Sequence, residues 1–158
     1  MKKLLLILIL CLLPLSAAGD RAWSPFQLIA ITTDWCPVCK QFKKEVLPRY
    51  KADLTSTNIP LIEIDITKGK SLPLWYKEAY RKSAIKRLFG VPTFVIWDSD
   101  DKRELVRWVG YISEENFYDM LDNALRLAPI NKERCEVHNV CKPWFVSKKL
   151  NQPALISP

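Results

Sequence analysis

Phe26-Gln27-Leu28-Ile29-Ala30-Ile31-Thr32 runs straight into Thr33-Asp34-Trp35-Cys36-Pro37-Val38-Cys39-Lys40. The first part is a short apolar, β-rich run and reads as a buried strand. From Pro37 the spacing becomes helical, with Cys39, Phe42, Val46 and Tyr50 on one face. A C-x-x-C therefore sits where a strand hands over to a helix. The first thiol then lies outside the helix end, where free N–H groups and the positive end of the dipole stabilise a thiolate. The second lies one turn in and is shielded. This pattern casts Cys36 as the attacking thiol and Cys39 as the resolving one. Lys40, Lys43 and Lys44 near the helix start add positive charge to the same end. Two other readings of the motif stand beside it: a structural disulfide, and half of a zinc site completed by Cys135-x-x-His138-x-x-Cys141, which holds the single histidine.

Working outward, Pro48 should kink or shorten the first helix. Ile59 to Ile66 alternates as a second strand, with Ile62, Ile64 and Ile66 on one face and Glu63 and Asp65 on the other. Ser71-Leu72-Pro73 predicts a helix start with a serine cap, and the helix should reach Leu88 before Gly90 ends it. Its Trp75, Tyr76 and Tyr80 are expected in the core, with a part in choosing a partner as the alternative. Thr93 to Trp97 and Glu104 to Val109 read as a hairpin around the polar loop 98–102. Ser113-Glu114-Glu115 opens a last helix, with Phe117, Met120, Leu121, Ala124, Leu125 and Ala128 as its apolar stripe. The order is β-α-β-α-β-β-α. Residues 129–158 are basic and hold four prolines, and they are expected as a wrapping extension or a partly disordered arm, not as a further domain.

The chain is 158 residues long and 49% hydrophobic, enough for one domain core. Its formal charge of +7 falls to +5 once Lys2 and Lys3 are removed with a leader. Lys and Arg are spread along the chain without the clustered footprint of a nucleic-acid binder, so no nucleic-acid partner is expected. Residues 1–19 carry the marks of a signal peptide: Lys2-Lys3, the apolar run Leu4 to Leu13, Pro14, and the small residues Ser16-Ala17-Ala18-Gly19. Periplasmic export follows, with an uncleaved membrane anchor as the alternative. Losing Cys11 leaves four of the five cysteines in two pairs. In an oxidising compartment Cys135 and Cys141 are read as a structural disulfide stapling the tail. A second redox pair is the sharper alternative.

The stretch Trp35-Cys36-Pro37-Val38-Cys39-Lys40, its flanking elements and Val91-Pro92-Thr93-Phe94 resemble the thioredoxin superfamily over residues 23 to 128. The context around the dithiol, with Phe117, is similar to the C-terminal domain of the DsbD transmembrane electron carrier and to periplasmic thioredoxins of the SoxW/SoxS kind. The resemblance implies an α/β, thioredoxin-like fold with a minimal four-stranded mixed sheet flanked by helices over residues 20–128, plus the C-terminal extension. It implies a cis Val91–Pro92 bond facing the dithiol, with Trp35, Pro37, Val38, Val91 and Pro92 contacting the substrate. It also implies no metal, nucleotide or flavin cofactor. The implied activity is an exported thiol–disulfide oxidoreductase reducing protein disulfides, recharged by a membrane carrier of the DsbD type, for which a monomer suffices. A disulfide oxidase or isomerase, suggested by Pro37, and a non-redox binding protein with fixed disulfides are the alternatives. Two departures stand out: the family's buried aspartate falls at Ala30, and the lysine paired with it falls at Leu61.

Overall fold

A computed structural model describes residues 25–52, 59–138 and 144–145. The expected signal segment and Cys141 lie outside them. β1 (Phe26–Thr32) is flanked by β2 (Leu61–Asp65) in parallel and by β3 (Thr93–Asp98) in antiparallel pairing. Side chains from Leu28 to Ile31 are fully buried. A strand covered on both faces requires such a continuous apolar run, whereas half-covered strands alternate. β3 pairs antiparallel with β4 (Arg103–Val109), completing the four-stranded mixed core in the order β2-β1-β3-β4. Asp98 closes that hairpin by accepting the backbone N–H of Asp100 at 3.0 Å. The extension adds a two-residue strand, β5 (Trp144–Phe145), in parallel beside Val106 and Arg107.

The parallel β1–β2 connection crosses over through α1 (Pro37–Glu45) and α2 (Leu47–Ala52). Pro48 has no N–H to continue the α1 ladder, and the helix breaks at Val46 as the sequence predicts. α1 and α2 lie on one sheet face with α4 (Glu114–His138), burying Phe42, Val46, Tyr50, Phe117, Leu121 and Ala124 against Leu28, Ala30, Phe94 and Trp108. Phe42 is the hub, with ring centroids 4.8 Å from Phe94, 5.4 Å from Phe117 and 5.8 Å from Tyr111. Phe42→Ala is expected to lower stability by about 3–5 kcal/mol, the usual cost of deleting a buried aromatic ring. Chemical denaturation of the reduced protein measures it, and a loss below about 1 kcal/mol would show that the core collapses into the gap.

On the opposite face Ile29, Ile31, Ile64, Val95 and Trp97 pack under α3 (Leu74–Arg81) and Ile85. Here the structure departs from the sequence expectation at both helix ends. Asp65 caps a 3-10 segment, Ile66–Ser71, by accepting the N–H of Thr67 at 3.0 Å, so Ser71 ends that turn and does not cap α3. α3 starts after Pro73 without a side-chain cap and stops at Arg81, well before Leu88. Ser83 adopts φ +57° and Ala84 N–H returns to Ala79 O at 2.8 Å, which turns the chain out of the helix. Of the three aromatic residues expected in the core, only Tyr76 is buried. Trp75, one residue away and so rotated about 100° around the helix, packs at the rim on Trp97 with centroids 6.0 Å apart. Tyr80 stacks on Tyr76 in the last turn and remains half-exposed.

The last helix does not stop before Pro129. α4 runs through that proline to His138, held where the side chain of Asn131 donates to Leu105 O at 2.6 Å and where Ala128 and Cys135 are buried. One lost helical hydrogen bond is outweighed by packing on both sides of it.

Candidate active site

Cys36 occupies the N-cap of α1 with extended backbone, φ −77° and ψ 115°, and Pro37 takes the first turn. Proline costs least there because its missing N–H has no helical partner. The Cys36 sulfur accepts the N–H of Cys39 at 3.1 Å, filling the role that a serine or aspartate oxygen usually plays at a helix start. The N–H of Cys39 thus points at the Cys36 sulfur, an arrangement that favours negative charge there. Both cysteines are free thiols. Cys36 keeps a narrow exposed window of 5% and Cys39 has none. Burial, reinforced by the hydrogen bond with Cys36, pushes the Cys39 thiol up to about 11. The backbone at Thr33 and the charge of Lys43 pull the other way.

Val91–Pro92 is a cis peptide, and the Cys36 thiol donates to the Val91 carbonyl at 3.7 Å. The residues expected to meet the substrate therefore come from the start of α1 and from the loop before β3, which meet at Cys36 and Val91. Trp35 is 69% exposed and Val38 38%, Pro37 lies on the surface beside them, Val91 is half-buried, and Pro92 is buried. Two residues that the sequence reading passed over extend this apolar rim. Phe89, two positions before Val91, is 76% exposed. Ile112 is exposed two positions after Gly110, whose N–H binds Pro92 O at 2.8 Å. Their only sequence signal is a large apolar residue in a segment with no helix or strand period.

The lysines near the motif do not act as one group. Lys40 and Lys44 are exposed on α1. Lys43, one turn beyond Cys39, reaches to β2, where it pairs with Glu63 and lies 3.4 Å from Asp65. Burial opposes its charge, but these carboxylates hold its pKa above the usual lysine value. Cys135 is disulfide-bonded, its expected partner Cys141 being outside the described residues. His138 is the last residue of α4, and among the described residues no group of three or more His, Cys, Asp or Glu comes together to hold a metal.

Residues 21–125 match the thioredoxin-like domain family. No curated protein sequence matches the chain. Among solved structures, the reduced periplasmic thioredoxin SoxS from Paracoccus pantotrophus is 21% identical, covering 62% of this chain and 93% of its own, with a TM-score of 0.47. A mutant thioredoxin from Halobacterium salinarum is 20% identical over 63% of this chain and 74% of its own, with a TM-score of 0.43. StoA from Bacillus subtilis is 13% identical over 60% and 80%, with a TM-score of 0.39.

Proposed function

Because this chain belongs to the thioredoxin-like domain family, we propose that it is an exported thiol–disulfide oxidoreductase that reduces disulfides of partner proteins at Cys36 and Cys39. The observation carrying this reading is a free thiol at a helix N-cap, 3.1 Å from the N–H of a second, fully buried free thiol. Cys36, as thiolate, attacks one sulfur of the partner's disulfide and expels the other as a thiolate, leaving a mixed disulfide. Cys39, once deprotonated, attacks the Cys36 sulfur, forms the Cys36–Cys39 disulfide and releases the partner's second thiolate. Two electrons pass to the partner, and the protons leaving Cys36 and Cys39 balance the two thiols formed. A membrane dithiol carrier of the DsbD type would restore the reduced state. Trp35, Val38, Val91 and Phe89 offer the apolar surface on which a partner segment would lie while Pro92 shapes the turn beneath it.

Export is supported by the charged, apolar and small-residue sections of residues 1–19, and by a disulfide at Cys135, a bond that persists in oxidising compartments. Among the described residues no helix is long and apolar enough to cross a membrane. The equilibrium reduction potential of the Cys36–Cys39 pair, read by thiol alkylation in defined redox buffers, tests the reading. A value near ~−270 mV, the thioredoxin range, is expected. One near ~−120 mV would replace the reductase with an oxidase, and a pair that resists mild dithiols would make this a binding protein with a fixed bridge.

A further inference from the structure

The segment between α3 and β3 has neither helix nor strand over residues 84–92, yet its backbone is held at almost every step. On β4, Glu104 and Arg107 form an ion pair with both side chains fully buried. Arg107 donates to the carbonyls of Arg87 at 3.0 Å and Lys86 at 3.2 Å. Glu104 accepts the N–H of Lys86 at 3.0 Å with its carboxylate, and its own N–H reaches Ala84 O at 3.0 Å. At the far end Thr93 Oγ1 donates to Gly90 O at 2.6 Å and Gly110 N–H to Pro92 O at 2.8 Å. Between the anchors stand only Leu88, the exposed Phe89, and Val91, whose carbonyl faces the Cys36 thiol.

We infer that Glu104 and Arg107 are positioning residues for partner docking: they clamp residues 84–87 so that Phe89 and the Val91 carbonyl stand at a fixed height beside Cys36. Stability alone does not account for the pair. Desolvating two charges offsets most of their attraction, and an apolar pair of similar volume is commonly as stable or more so. What an apolar pair cannot do is bind the carbonyls of Lys86 and Arg87 and the N–H of Lys86, in a stretch that is itself neither strand nor helix. Arginine suits this task because its planar fork serves a carboxylate and two carbonyls at once, while lysine offers a single nitrogen. The inference rests on the proposed reductase reading, since it assigns the clamp to the same partner site.

The test compares the full-length wild type with Glu104→Leu/Arg107→Met and Arg107→Lys. Reduction of insulin, a protein disulfide, is measured beside reduction of the small aromatic disulfide DTNB, which needs the dithiol but no docked segment. The expected result is a KM for insulin about tenfold higher with kcat within about twofold, an unchanged DTNB rate, and a Tm for the double variant close to wild type. An unchanged KM in a folded variant would overturn the inference, as would a parallel fall in the DTNB rate, because the dithiol itself would then be disturbed. Should the double variant fail to fold, Arg107→Lys carries the same comparison. If the wild type reduces neither disulfide, the functional reading fails by itself, and amide exchange decides the clamp. Exchange about tenfold faster over residues 86–91 with β3 unchanged sustains it, and unchanged exchange overturns it.

Discussion

Cys36→Ala is expected to lower protein disulfide reduction by about a thousandfold or more, whereas Cys39→Ala should still attack the substrate and then stall as a covalent adduct. The two cysteines share a motif but not an environment. Cys36 has the exposed window, the N–H of Cys39 and the neighbouring Val91 carbonyl. Cys39 is fully buried, with its thiol pushed up to about 11. A partner's disulfide can therefore reach the first sulfur and not the second. Without Cys39, the mixed disulfide can be cleared only by an external thiol, so a partner mixed with Cys39→Ala should run as a thiol-sensitive adduct on non-reducing gels. Residual turnover by Cys36→Ala, or an adduct formed through Cys39, would invert the assignment.

The different settings of the two sulfurs were legible in the sequence because one local signal decides several things together. A buried strand running into a C-x-x-C at a helix start places one sulfur at the cap and the next one turn inside, whatever the rest of the chain does. The β4 hairpin partner and the stripe of α4 were legible for a similar reason, since each buries a whole face and so leaves a period in the sequence. What escaped were features made by long-range hydrogen bonds. The end of α3 is set by Ser83 at φ +57° and by β4 side chains that take up the backbone of 84–87, and nothing within 71–88 announces either. Glu104 and Arg107 look like ordinary strand charges until their burial is known. Pro129 looked like a stop, because a proline's local cost is visible in sequence while the packing of Asn131 and Cys135 beyond it is not.

The resolving step should speed up about tenfold per pH unit from pH 7 until it levels near or below about 11, the value to which burial pushes the Cys39 thiol. The sign follows from the charge: burial disfavours the thiolate, the thiolate is the nucleophile, and below its pKa the reactive fraction rises with pH. Ala30 and Leu61 supply no carboxylate or ammonium at the positions where the family resemblance would place them. Lys43 is left as the side chain that lowers the Cys39 value, and its charge is shared with Glu63 and Asp65. In the mixed disulfide Cys36 no longer has a thiol proton or charge of its own, so part of the upward push is gone and the plateau lies at or below the value for the free dithiol. DTNB separates the steps, because attack by Cys36 releases the first coloured thiolate and resolution by Cys39 releases the second. The second phase carries the predicted slope; a flat second phase between pH 7 and 9 would mean that a base near Cys39 already takes its proton. The same shift acts on stability with a definite sign. A folded-state thiol above its ordinary value adds stability to the reduced protein below about 9, and this is lost as pH rises from about 9 to about 11. In the oxidised protein Cys39 is held in the disulfide and this loss is absent, so alkali should destabilise the dithiol form relative to the disulfide form.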